Sequence, residues 1–109
     1  MDEQKVGDIP DTEEISFQLI AAAGTARSLA YQALAAAKAG DFTAADELMT
    51  QSREAGLSAH KAQTDLLTQE AQGSHLSVDV LLVHAQDHLM TAMLAQELIG
   101  ELIELYRSK

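Results

Sequence analysis

Three side chains able to do chemistry, His84, Asp87 and His88, interrupt the otherwise core-like run Val80-Leu-Leu-Val-His-Ala-Gln-Asp-His-Leu-Met-Thr-Ala-Met-Leu94. Polar groups of this kind are costly to bury unless they have partners. On a helix, His84 and His88 stand one turn apart at i,i+4, with Cβ atoms about 5–6 Å apart, and His84 is i,i+3 from Asp87. Three chemistries fit that spacing. Both imidazoles could be hydrogen-bonded core or interface residues. They could bind a zinc ion with the acid as base. Against this, the acid is Asp, no separate downstream ligand stands out, and 109 residues leave little chain for a substrate cleft. Or a neutral imidazole nitrogen could attack phosphorus and form a labile phosphoramidate. An unperturbed imidazole titrates near 6.5, so it is often neutral at pH 7, and a neighbouring imidazole can donate to the phosphoryl oxygens.

The elements that must position these groups are legible from helical periodicity. Residues 1–10 mix acids with Lys5 and Gly7, offer little to pack, and read as a flexible tail; residues 11–109 read as one domain. Asp11 and Glu14 have capping-box spacing, and Pro10 precedes them, so a first helix is expected to start there. Its apolar stripe is Ile15, Leu19, Ala23, Ala26, Ala30, Ala33 and Ala37, rich enough in alanine to require a close neighbour. Gly40 fits a C′ position and Asp41 a cap for the next helix. The second helix carries Ala45, Met49, Ser52, Gly56, Ala59, Ala62 and Leu66 and runs to about Gln72. Gly56 costs roughly 1 kcal/mol against alanine in such a helix, which predicts a close crossing or a bend. Residues 73–77 break the period, Ser77 with Asp79 behind it suggests the third N-terminus, and a helix is expected from Val78 to Arg107. The expectation is an antiparallel three-helix bundle, all-α.

Composition narrows the partners. The chain has 47% hydrophobic residues but only 4% aromatic ones, which favours closely packed helices over a sheet. With 17 acidic against 7 basic side chains, the net charge of −10 disfavours nucleic acid and anionic membranes. There is no cysteine, hence no disulfide, thiolate metal site or cysteine nucleophile, in keeping with a reducing compartment. No apolar run suggests a membrane span and the first residues do not resemble a leader, so a cytoplasmic protein is expected.

The third helix has more apolar surface than one neighbour can cover. Leu81, Ala85, Ala92, Ile99 and Ile103 form one stripe, and Val80, Leu94, Leu98, Leu102 and Leu105 form a second beside it. One stripe serves the protomer's core and the other predicts an assembly. Asp87 lies seven residues from both Val80 and Leu94, inside the second stripe. Symmetry along that seam would bring carboxylates together, and like charges so close need a proton, a basic partner or a cation.

The motif Val80–Leu94, followed by Glu97-Leu-Ile-Gly-Glu-Leu-Ile-Glu-Leu-Tyr106, resembles the enzyme IIA component of the lactose/cellobiose (N,N′-diacetylchitobiose) class of the sugar phosphotransferase system. Gly24-Thr-Ala-Arg-Ser-Leu-Ala-Tyr31, Ala39-Gly-Asp-Phe-Thr-Ala-Ala45 and Ala59-His-Lys-Ala-Gln-Thr64 carry the resemblance through the rest of the chain. His-Ala-Gln-Asp-His and Ala-Tyr after Arg27 resemble the cellobiose/chitobiose branch more than the lactose branch. The resemblance implies a phosphotransferase component with a phosphohistidine intermediate, built as a three-helix bundle that forms a homotrimer. It implies that His84 accepts a phosphoryl group from phospho-HPr and passes it to the cysteine of a IIB component, during uptake of a β-linked disaccharide by the membrane permease IIC. It further implies supporting roles for His88 and Gln86, and a divalent cation, magnesium, held on the trimer axis by Asp87 and its symmetry mates.

The remaining candidates read as structural. His60 is expected to pack or to support the site from a distance, His75 to be solvated in a turn, and Arg27 to pair with an acid or lie near the phosphoryl group. Met49, Met90 and Met93 read as packing residues. The competing functional reading is a non-catalytic helical oligomerisation module whose His/Asp cluster binds a structural metal.

Overall fold

The computed structural model describes residues 12–109; the tail of residues 1–10 and the expected cap Asp11 lie outside the described residues. Three helices follow one another: α1 (Thr12–Lys38), α2 (Phe42–Ala71) and α3 (Val80–Arg107). They form an antiparallel bundle 62 × 22 × 20 Å in extent, with no strand among the described residues.

The turns are set by local chemistry. Gly40 takes φ 83°, in the left-handed region that closes α1 and favours glycine. Asp41 then caps α2, its carboxylate accepting from the Ala44 N–H at 3.1 Å. At the third N-terminus the capping residue is Asp79, which accepts from Leu82 N–H at 2.8 Å. The helix therefore begins at Val80, two residues later than the sequence pattern around Ser77 suggested, because the carboxylate of Asp79 stands in register with the orphan amide.

The core is made of small residues. Leu19, Ala23, Ala26, Ala30, Ala33 and Ala37 of α1 are buried, as the alanine stripe predicts. At one end Ala30, Ala33 and Ala37 meet Ala45, Met49, Ile99 and Ile103; at the other Leu19 and Ala23 meet Ala59, Ala85, Leu89 and Ala92. On α3 the buried stripe runs through Leu82 and Leu89 in place of Leu81, which is only half-buried. Alanine lets backbones approach closely but supplies little apolar area per residue. α1 packs along both other helices, whereas α2 and α3 touch sparsely.

Hydrogen bonds tie α2 to both α1 and α3 where α2 and α3 touch sparsely. Ser52 Oγ donates to the Ala26 carbonyl oxygen at 2.5 Å, and Gln96 Nε2 donates to both Ser52 O and Ser52 Oγ at 2.9 Å. At Gly56 a Cβ would lie 3.6 Å from Gln96 Nε2 and 3.8 Å from Ala26 Cβ, ordinary contact distances, so the packing of the three helices at this level does not itself demand glycine. Near the far end of the bundle, Arg107 bonds Asp46 at 2.6 Å and Glu104 at 3.3 Å and lies over the Phe42 ring, 5.1 Å from its centroid. The Asp46 bond holds the guanidinium above its usual pKa.

Candidate functional site

The site is one turn of α3 and the faces on either side of it. His84 and His88 are brought together: their rings stack with centroids 5.9 Å apart and planes 8° from parallel. His84 is exposed and His88 is half-buried. Gly24 on α1 backs His88, where a Cβ would lie 3.8 Å from His88 Nε2. A shallow groove along α1, with Ile20, Gly24, Thr25, Ser28 and Gln32 in its walls, is completed by His88. Nucleophilic attack needs an accessible ring nitrogen, and His84 is the more accessible of the two.

Asp87 is exposed and sits in the middle of an uncovered apolar stripe. Val80 is 86% exposed, and Leu94, Leu98, Leu102 and Leu105 are likewise largely uncovered. Val83 and Met90 belong to the same surface, Met90 at 50% exposure. Met90 is thus a surface residue beside the seam. No three His, Cys, Asp or Glu side chains group to hold a metal among the described residues of one chain. Asp87 is the carboxylate within the Val80–Leu94 part of the stripe.

Gln86 takes a different place from the histidines. At about 100° per residue around α3, His84 and His88 lie roughly 60° and 100° to one side of Asp87, toward α1. Gln86 lies about 100° to the other side, toward α2. There Gln63 Nε2 donates to Gln86 Oε1 at 2.6 Å and also lies 3.3 Å from Met90 Sδ. Within one chain, therefore, Gln86 does not share a face with His84. Gln63, 8% exposed, was not singled out in the sequence. Its signals are its place in the Ala59–Thr64 stretch and its position four residues after Ala59 on the buried side of α2.

The lesser candidates are away from this turn or occupied elsewhere. His60 is exposed on α2. His75 pairs with Glu70 in the α2–α3 connection. Arg27 lies over the Tyr31 ring, 5.7 Å from its centroid.

Residues 14–107 match the PTS system lactose/cellobiose-specific IIA subunit family, and the chain belongs to that family. It is 54% identical over 105 residues to the N,N′-diacetylchitobiose-specific EIIA component of Escherichia coli (strain K12), with 90% of each chain covered. It is 47% identical over 93 residues to the lactose-specific EIIA component of Streptococcus mutans serotype c, covering 85% of this chain and 89% of that one. Among solved structures, the cellobiose-specific enzyme IIA from Bacillus anthracis superposes with a TM-score of 0.85 at 47% identity, covering 92% of each chain. IIA(chitobiose) in its solution complex with HPr, from Escherichia coli, gives a TM-score of 0.77 at 52% identity, covering 91% of this chain and 96% of that one. The expected family and the three-helix fold are both borne out. No described helix is long and apolar enough to cross a membrane.

Proposed function

We propose that this IIA component carries a phosphoryl group on His84, receiving it from phospho-HPr and delivering it to the cysteine of a IIB component that serves a β-disaccharide permease. The observation that carries the reading is the exposed His84 ring stacked on His88 beside the α1 groove. Complex formation of a relative with HPr supports the donor. In the first step a neutral ring nitrogen of His84 attacks phosphorus; the new P–N bond forms as the donor's bond to phosphorus breaks. In the second the thiolate of the acceptor attacks, the P–N bond breaks, and the departing imidazole takes up a proton. His88, one turn away, can donate a hydrogen bond to the phosphoryl oxygens and offset their charge.

The working unit in this reading is a homotrimer about the α3 stripe. Leu94, Leu98, Leu102 and Leu105 form a continuous apolar surface, and copies of the same stripe are the occupants that match it. Threefold symmetry brings three Asp87 carboxylates together, and a divalent cation, magnesium in the simplest case, offsets their repulsion. Each chain supplies one ligand, so the site exists only in the assembly. The bound cation would supply charge balance on the axis.

Incubation with phosphoenolpyruvate, enzyme I and HPr tests the chemistry. An acid-labile phosphate should appear on the wild type and on His88→Ala at reduced rate, and be absent from His84→Ala. A wild-type chain that takes no phosphate under these conditions contradicts the proposal.

A further inference from the structure

We infer that Arg27 and Tyr31 of one copy dock against the α2–α3 groove of a second copy, where the guanidinium pairs with Glu101 and Glu97, so that an ionic contact on the flank fixes the trimer outside its leucine seam. The inference rests on the trimeric reading above.

The two surfaces lie on opposite flanks of the protomer. Tyr31 follows Gly24 by seven residues, two helical turns, and so shares the face of α1 that backs His88. It is 51% exposed, and the Arg27 guanidinium lies over its ring. On the other flank Glu97, Gly100, Glu101 and Glu104 of α3 border an open groove whose opposite wall carries Arg53 of α2. At about 100° per residue the three glutamates stand roughly 40–100° from Asp87, on the side of Gln86. Glu101 is the one nearest the direction of Asp87, so an assembly that covers the leucine stripe brings its carboxylate to the edge of the seam.

The charges on these flanks are complementary and unspent. Arg107 engages Glu104 at 3.3 Å, but Glu97, Glu101 and Arg27 make no ion pair among the described residues. Arg53 also stays beyond ion-pair distance of both free glutamates. A carboxylate at the rim of an apolar interface calls for a cation as that rim loses water. Arg27, held on an aromatic ring, presents one. A Cβ at Gly100 would meet nothing within 4 Å, so the groove beside the glutamates has room for the edge of the Tyr31 ring.

Symmetry brings the two flanks together at one height. Ala30 and Ala33 pack with Ile99 and Ile103, which sets Tyr31 level with the Glu97–Glu101 turn of its own α3. A threefold rotation about an axis along α3 leaves height unchanged, so Tyr31 is level with the same turn of the neighbour. A cyclic interface joins two different faces of the same chain, here the α1 flank of one copy and the α2 flank of the next.

The monomer–trimer equilibrium, followed by sedimentation over a range of protein concentrations, tests the contact. Arg27→Glu and Glu101→Arg should each raise the concentration at which trimers dissociate by about tenfold, and the double reversal Arg27→Glu with Glu101→Arg should recover most of that loss. Arg27→Met keeps an unbranched side chain over the ring and removes only the charge. Its deficit against wild type should close in about 1 M salt, where the screening length is about 3 Å, whereas a deficit from lost packing persists and overturns the inference. Trimers of Arg27→Glu as tight as wild type overturn it too, as does a double reversal no tighter than the single variants. If Arg27→Glu fails to fold, Arg27→Met and Glu101→Gln decide: each should weaken the trimer at low salt and the pair together no more than either alone, and strictly additive losses overturn the contact. A wild type that is monomeric throughout overturns the trimeric reading itself, and this inference with it.

Discussion

Ser52 on α2 donates its hydroxyl proton to the Ala26 carbonyl oxygen of α1 and accepts from Gln96 of α3, so one buried hydroxyl links all three helices. It does so where α2 and α3 have little apolar contact to hold them. Ser52→Ala removes both bonds to the hydroxyl and leaves the Gln96 amide with only the Ser52 carbonyl oxygen. The expected cost is about 1–3 kcal/mol, read from chemical denaturation at fixed protein concentration because assembly contributes to apparent stability.

Ser16 makes the opposite case with the same residue type. It is also fully buried, but its hydroxyl has no hydrogen-bond partner among the described residues. Ser16→Ala removes an uncompensated polar group and raises helix propensity, so it should stabilise the protein by about 0.5–2 kcal/mol. The same denaturation series checks the sign: Ser16→Ala above wild type, Ser52→Ala below it.

Assembly along α3 is tested by charge placed in the stripe. Leu98 is 56% exposed in the protomer, so Leu98→Glu leaves the bundle's own core intact. In a trimer it sets three carboxylates into an apolar seam. Sedimentation should show a shift to monomers with far-ultraviolet helicity largely kept. A wild-type protein already monomeric at micromolar concentration would remove the basis for the axial site.

Asp87→Leu should act in the reverse sense. It replaces a cluster of like charges with apolar surface matching Leu94 and Leu98, and so keeps or tightens the trimer while abolishing cation binding. Calorimetric titration with magnesium checks this; binding that survives in Asp87→Leu means the cation sits elsewhere.

The helices, their order and most of the core were legible because each rests on local periodicity. The alanine stripe of α1 and the caps Gly40 and Asp41 depend on residues within a few positions of one another. The resemblance carried by His-Ala-Gln-Asp-His extended this to the family. What escaped the sequence depends on partners far along the chain. Gln63 and Gln86 are separated by 23 positions, and a glutamine on a weak apolar face gives no sign of whether its amide is solvated or pinned. The start of α3 moved to Val80 because two capping candidates, Ser77 and Asp79, stand two residues apart, and only the backbone course selects between them.

The claim on which the functional account turns is that His84, and not its stacked neighbour His88, is the residue that bears phosphate. Mass-spectrometric mapping of the wild-type chain after phosphoenolpyruvate-driven labelling, with the sample kept at alkaline pH to preserve the P–N bond, tests it most directly. Phosphate should be found on His84 and be discharged on addition of the IIB component. Phosphate mapped to His88, or to no histidine of α3, would contradict it.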